Sequence, residues 1–412
     1  MLSVYPNFID HTKDSIVEKI FKYNGINDLT ATFKLPMYSG EGNYIFPIRI
    51  STLISSKTIY YNSEGKQYKN SVVDDDYIIR IPNNVVTDVW AGKCVIVFDG
   101  SDETYDITHS NVGMRVHHFV KNVLNHYNFS KNHLLICNGN LTPFKDIDYA
   151  NVAVLYIWAG LQPRWDYTSI YLNSIKTKKI RSNKILMLMN KPYMHRLKVG
   201  EIAFKKNWRE GNAISLNLEN KVSDYVTYIL NCFDPIFIDS LPWKLDMTFR
   251  HKLRNGVLCN THDELKFYDD TYVNFVIESM AENTSPYNMN FEKDVSEKTF
   301  KPITQLQPFV IYGQPYILKL LKSYGYKTFS KWWDESYDDI EDTNLRLEKI
   351  SEIFDKINSM THSELADMMY DMLPVLEHNR NHHCHLLDTG FYTKDFYNTL
   401  NHLFVINNDS TI

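Results

Sequence analysis

Two segments far apart in the chain carry side chains suited to gripping an anion. The first, KILMLMNKPYMHRLKVGEIAFKK, reads as an apolar strand ending at Asn190, then a turn that puts His195 and Arg196 at the start of a helix. The second, SEKTFKPITQLQPFVIYG, opens with Ser296, Glu297 and Lys298, adds Lys301, and closes as an apolar strand followed by Gly313. The first turn of a helix has backbone N–H groups without intrahelical acceptors and the positive end of the macrodipole, so it favours negative charge. Arg196 offers a planar fork, His195 a further hydrogen bond or a brace for the turn, and the two lysines point charges. Glu297 suits ribose hydroxyls, and Gly313 allows close approach to the backbone. Pro302 constrains the second helix: counted from Ser296 it lies too deep for the first turn and imposes a kink, which a start near Lys301 avoids. Glu278, at the end of the strand TYVNFVIES, completes this set of anion-side candidates.

A second cluster is acidic. Asp99, Asp102 and Glu103 follow the apolar run CVIVFD at the end of a parallel strand, where open α/β sheets place ligands. Acids crowded there raise one another's pKa if buried, which suits a general base; an ordinary acidic surface loop has the same composition. The run HNRNHHCH (His378, His382, His383, Cys384, His385) contains an i,i+4 histidine pair, but no distant Cys or His pair completes a tetrahedral zinc set, so no metal site is assigned. Trp332, Trp333, Asp334 and Glu335 either line a cleft or pack the C-terminal helices.

Positioning these groups requires an α/β fold. Strands at CVIVFDGS, HLLICNGN and VAVLYIWAG alternate with helices at 82–91, which Gly92 stops, and 112–127. Their apolar residues run without alternation, the mark of parallel strands buried on both faces. Before them, the pattern gives a short helix over 14–23, a strand pair over 43–55 and a polar loop over 62–76. A basic stretch over 174–183 reads as the boundary, after which the pattern restarts with strands at KILMLMN, AISLNL, TYVNFVIES and PFVIYG and helices over 193–206, 222–230 and 315–324. Asp342 or Thr343 caps a following helix, Thr361 and Glu364 form a capping box, and 387–404 is a last helical element. The expected domains are therefore 1–178 and 179–345, Rossmann-like and facing a cleft, with a helical segment over 346–412 packing back.

At 412 residues the chain exceeds one ordinary core, which agrees with two domains. A net charge of −5 argues against a whole-surface nucleic-acid binder, yet eleven Lys or Arg fall between Lys176 and Arg209 against the single acid Glu201. That stretch is a candidate DNA contact, or simply a solvated face. Five scattered cysteines fit reduced thiols. The N-terminus lacks the pattern of a signal peptide, and the longest apolar run, over 152–161, falls short of the ~20 residues of a membrane span. These features lead us to expect a cytoplasmic protein.

The second segment resembles the Glu-Lys motif of fucosyltransferase-like GT-B glycosyltransferases, with Gln305, Leu306 and Gln307 standing where those enzymes carry small residues. More widely, the run VFDGSDE, the Asn190–Arg196 turn, SEKTFKP, WWDESYD and the pair His378-Asn379 resemble a group of phage- and marine-bacterial glycosyltransferase-like proteins. The resemblance implies a GT-B fold and a nucleoside-diphosphate-sugar donor held by Arg196, Glu297 as the ribose acid and Lys298 as the phosphate lysine. It also implies metal-independent transfer with no further cofactor, and a base on the N-terminal domain. The acceptor stays open among glycan, protein and a hydroxymethylated DNA base, the last pointing to a viral DNA-modifying enzyme; a non-catalytic protein that keeps the fold is the other alternative.

Overall fold

The computed structural model describes residues 3–4, 39–49, 59–61, 67–69, 81–100, 111–139, 147–155, 168–190, 192–218, 229–245, 252–254, 257–259, 262–281 and 295–409. The expected helix over 14–23, most of that over 222–230, and the candidates Asp102 and Glu103 lie outside them.

The described chain forms two parallel sheets with separate cores. The first contains β1 (Ser3–Val4), β2 (Tyr44–Arg49), β5 (Cys94–Gly100), β6 (Leu134–Asn138) and β7 (Asn151–Val154), in that spatial order and all parallel. A separate hairpin of β3 (Ile59–Tyr61) and β4 (Gln67–Lys69) falls between β2 and β5. It puts a strand inside the stretch expected to be a polar loop. The region 43–55, read as a strand pair, contributes one strand among its described residues. Every residue of β5 and β6 is buried, as the unbroken apolar runs predicted. Helices α1 (Asn83–Trp90) and α2 (Asn111–Tyr127) flank β5 in the chain. Gly92 ends the first turn sequence with φ +70°, a left-handed position that glycine takes at little steric cost.

The second sheet has the order β13 (Phe309–Tyr312), β12 (Thr271–Ile277), β8 (Asn183–Met189), β9 (Ala213–Leu216), again all parallel. Its helices include α3 (Thr168–Lys176), α4 (Met194–Lys205), α5 (Pro235–Asp239), α6 (His262–Asp269), α7 (Glu297–Thr304) and α8 (Ile317–Ser323). A two-stranded hairpin, β10 (Lys252–Arg254) with β11 (Val257–Cys259), precedes α6. The basic stretch over 174–183, read as the boundary, is part of this body. Tyr171 and Ile175 of α3 are buried in the second core. Arg181 is 3% exposed and donates to the carbonyls of Tyr268 and Thr271 and to Ser174 Oγ.

The last three helices divide between the cores. Asp342 caps α9 (Thr343–Ser359) by accepting from Leu345 N. Thr361 and Glu364 close the expected capping box on α10 (His362–Asp388). Both helices pack on the second core through residues such as Phe354, Leu365 and Met372. The stretch expected as one element over 387–404 is broken by a turn holding Gly390 at φ +67°. Beyond it, α11 (Lys394–Asp409) buries Phe396, Leu400, Leu403 and Phe404 in the first core. Asp395 accepts from Val154 N of β7, and Asn407 donates to Asn132 O, fixing both ends of the helix there. The segment 346–412 is thus shared between the two cores. Among the described residues no helix is long and apolar enough to cross a membrane.

Candidate functional site

Strand order locates the crevice. From β8 the chain moves through α4 to β9 on one side, and from β12 through α7 to β13 on the other. Right-handed crossovers in opposite directions put α4 and α7 on opposite faces, with their N-termini flanking the gap between the carboxyl ends of β8 and β12. Open α/β sheets bind ligands at such a reversal. The anion-side candidates of the sequence fall on this point.

From the β8 side come His195 and Arg196, both buried in the first turn of α4. His195 Nε2 lies 2.9 Å from the Glu278 carbonyl. A carbonyl only accepts, so Nε2 carries the proton and Nδ1 keeps its lone pair, a tautomer assigned from the hydrogen bond. Burial, then the neighbouring Arg196, lower the histidine pKa to about 3, so the ring is neutral. It braces the crevice and does not act as a phosphate-binding cation. Arg196 Nη2 reaches the same carbonyl at 3.3 Å and that of Ile277 at 3.5 Å, both long, while its Nε is buried with no hydrogen-bond partner. Arg196 is 3% exposed, and its guanidinium carbon sits 5.0 Å from the centroid of the Tyr193 ring. Burial lowers its pKa, against Tyr193, Glu278 and Glu297, but a guanidinium stays cationic in proteins. A buried cation with an idle donor is under-satisfied and suited to an added anion.

From the β12 side comes Glu278, fully buried. Its Oε1 accepts from Ser296 N at 3.1 Å and Thr299 Oγ1 at 2.6 Å, and its Oε2 from Ser296 Oγ at 2.5 Å. Ser296 is the N-cap of α7, its Oγ accepting from Lys298 N at 3.3 Å. The chain's own carboxylate therefore occupies the anion position at the start of α7, the place the sequence reading reserved for a ligand. The helix begins at Glu297, not near Lys301. Pro302 fits because α7 has only eight residues and ends two positions later.

Lys298 stays at the rim, with its side chain 27% exposed. Its Nζ lies 3.1 Å from Ser279 Oγ, 3.0 Å from Ser296 Oγ and 3.2 Å from Glu297 Oε1. Burial pushes the Glu297 carboxyl up, but Lys298 and then Lys301 outweigh it and hold its pKa below the ordinary value. Gly313 keeps its contacts inside the protein: an added Cβ would stand 2.5 Å from Ile317 Cδ1 and 3.3 Å from Glu278 Cβ, so its small size serves packing, not ligand approach. Asn190 is exposed and accepts from Asn217 Nδ2 at 3.3 Å, at the edge of the group.

Of the acidic cluster only Asp99 is among the described residues, and it belongs to the first sheet. Asp99 is 0% exposed in β5, paired in register with Cys137. Burial and then Asp99 itself push the Cys137 thiol upward. A carboxylate so enclosed does not meet an acceptor hydroxyl without movement of the strand end. The histidine run lies along α10, where His378 and His382 bond the Gly325 and Tyr324 carbonyls, and His383 meets Tyr326 Oη at 2.7 Å. Among the described residues no group of three His, Cys, Asp or Glu is placed to hold a metal ion. Trp333 is buried in the second core, and Glu335 bonds Phe329 N and Thr328 Oγ1. The basic stretch is largely engaged: Lys178 pairs with Asp367, Lys179 with Asp269, Lys205 with Glu201 and Lys206 with Asp355.

Sequence reasoning missed Tyr193, Ser279 and Thr299. Tyr193 and Thr299 stand inside motifs already singled out, and Ser279 directly follows Glu278, so proximity in the chain was the available signal. It also missed Arg346, which bonds the carbonyls of Ala281, Ile340 and Glu341 and ties the segment after β12 to α9.

Together these features define an α/β protein with two parallel sheets, one of which presents a cation-lined switch point. Comparison with known proteins returns no matching family model, no matching curated protein and no matching solved structure. The reading of function therefore rests on the chain's own geometry.

Proposed function

We propose that the chain is a metal-independent glycosyltransferase of GT-B architecture that binds a nucleoside-diphosphate sugar at the β8/β12 crevice. One observation carries this reading. Two helix N-termini from opposite faces of a parallel sheet bring Arg196 and Lys298 to the same strand end, and Arg196 has a buried donor to spare. A diphosphate lodged between them would gain charge as the bond to the sugar breaks, and fixed cations already desolvated stabilise that charge without reorganising. The GT-B resemblance of the Glu297-Lys298 segment supports the same assignment. The hydroxyl acceptor is a glycan or a protein. A DNA acceptor recognised through the stretch between Lys176 and Arg209 is less favoured, because three of its eleven cations already pair with acids elsewhere in the fold and Arg181 is buried.

The test is a thermal-shift panel of UDP-, GDP-, ADP- and dTDP-sugars, followed by hydrolysis assays on whatever binds. A donor at ~100 times its Kd stabilises by ~2.7 kcal/mol, several degrees in Tm for a domain of this size. Lys298→Ala should abolish the shift. No shift and no hydrolysis across the panel overturns the proposal.

A further inference from the structure

The α4 side of the crevice carries two aromatic rings that anion binding leaves unused. Tyr193 stands at the N-cap of α4, a position that favours Ser, Thr, Asp or Asn, and its side chain makes no cap hydrogen bond. The residue stays 38% exposed, although the Arg196 guanidinium carbon lies 5.0 Å from its ring centroid. The His195 ring is 5.9 Å from that of Tyr193 and 26° from parallel. Its Nε2 is committed to the Glu278 carbonyl. Among the described residues no group bonds its Nδ1, which is also not one of the buried atoms left without a partner, so that lone pair is open to solvent. Burial, then Arg196, Lys198 and Lys298, outweigh the Glu278 carbonyl and keep a second proton off the ring, so Nδ1 is an acceptor at neutral pH.

We infer that Tyr193 and His195 form a subsite for a hydroxylated sugar ring joined to the phosphate that Arg196 holds. This rests on the proposed diphosphate site. A phosphate oxygen of a diester only accepts hydrogen bonds, as Nδ1 does, so the two do not pair; a ring hydroxyl donates and fits. His195 is next to Arg196 in the chain, so the hydroxyls nearest Nδ1 belong to the ring attached to that phosphate. The C–H face of a sugar is apolar and packs on the electron-rich face of an aromatic ring, and the Arg196 guanidinium steadies Tyr193 for that contact. Both contacts are made by neutral groups, so neither depends on the charges of Lys198, Lys298, Lys301 and Glu297 around the crevice. A nucleoside-diphosphate sugar presents this chemistry at both ends, as the transferred sugar and as the ribose. The ring seated on Tyr193 is the one bonded to the phosphate at Arg196.

The experiment measures Kd by calorimetry on the full chain for three probes: the UDP-, GDP-, ADP- or dTDP-sugar that binds in the panel above, its nucleoside diphosphate, and inorganic pyrophosphate. Tyr193→Ala should weaken the sugar donor about tenfold and leave pyrophosphate unchanged, while Tyr193→Phe, which keeps the ring, should bind all three as the unmodified protein does. A loss confined to the sugar donor assigns the subsite to the transferred sugar; a loss shared by the nucleoside diphosphate assigns it to the ribose. A second readout needs no Tyr193 variant. In protein carrying 15N-labelled histidine, the His195 Nδ1 resonance, identified by its disappearance in His195→Gln, should move upfield with the ring-bearing ligand and hold its position with pyrophosphate. That displacement marks an unprotonated nitrogen accepting a hydrogen bond. Equal weakening of pyrophosphate by Tyr193→Ala, or no weakening of any probe, overturns the inference and leaves the diphosphate site standing. So does an Nδ1 resonance that no probe moves, since Tyr193 then stacks a base and His195 meets no hydroxyl. No binding of any nucleotide by the unmodified protein overturns both.

Discussion

The two sheets are built from the same parts and laid down differently. In the first, the described strands follow one another across the sheet in a single direction, from β1 to β7; in the second, the chain reverses between β8 and β12. A one-way order puts successive crossover helices on the same face, so no pair of helix N-termini opens on opposite sides of a gap. The reversal does the opposite, and buried charge follows it. At the reversal sit Arg196 and Glu278, both almost without exposure, with His195 bracing between them. The first sheet has its own buried acid, Asp99, but nothing described there resembles a pair of converging cations. Topology decides where chemistry can gather, and composition only decides what gathers there.

The comparison breaks most visibly at the C-terminus. The first core borrows α11 from the far end of the chain, whereas the second is covered by helices close to it in sequence. Removing residues 394–409 takes Phe396, Leu400, Leu403 and Phe404 out of the first core. At ~1.5–3 kcal/mol each, the loss of about 6–12 kcal/mol matches the whole stability of an ordinary domain. The truncated chain should lose one of two calorimetric transitions and retain the other. Survival of both would show that the first core does not depend on α11.

Next in size is Glu278→Ala, which strips an acceptor from Ser296 N, Ser296 Oγ and Thr299 Oγ1 inside the second body. Buried donors left unmet cost ~1–3 kcal/mol each and overlap, so a loss of about 3 kcal/mol is expected in urea unfolding. Sulfate should recover part of it by refilling the α7 N-terminus. A loss confined to the transition that survives the truncation ties the effect to the second sheet.

A smaller effect is pH-dependent. Unfolded, His195 takes up a proton near its ordinary value of about 6.5; folded, it resists until about 3. Between those values the unfolded chain binds more protons, so this stabilisation is full above about 6.5 and is lost as the pH falls toward 3. At pH 5 the loss is about 2 kcal/mol. His195→Gln, which keeps a donor for the Glu278 carbonyl, should flatten the acid limb relative to the unmodified protein. Parallel acid limbs for the two would remove His195 from the account.

Much of this arrangement was legible in the sequence where cause and effect are local. Gly92 stops α1, the unbroken runs of β5 and β12 mark buried parallel strands, and Thr361 with Glu364 announces α10. The two anion-side segments also declared themselves, because a helix start is a local property. What escaped depends on partners distant in the chain. Arg181 fell in the stretch read as a domain boundary because the carbonyls that accept from it belong to Tyr268 and Thr271. Glu278 was visible as a strand end, but its occupation of the α7 N-terminus depends on a fold that brings Ser296 to it. The assignment of α11 to the first core has no local signature: its apolar stripe is equally compatible with either sheet.

The smallest expected effect probes the seam between α1 and α11. Gly92 has φ +70°, and an added Cβ would stand 3.0 Å from the carbonyl carbon of Asn407 and 3.1 Å from its oxygen. Gly92→Ala therefore carries two costs, about 1 kcal/mol for the left-handed backbone and a further displacement of the end of α11. Asn407 cannot retreat freely, since its side chain is bonded to Asn132 O. A loss of about 1–2 kcal/mol is expected, confined to the first transition, with faster amide exchange in α11. Gly92→Asn separates the two costs, because asparagine tolerates the left-handed region but carries the same Cβ. If asparagine recovers most of the loss, the backbone sets it. If it does not, the contact with Asn407 does, and glycine is there to let the chain's last helix close over its first sheet.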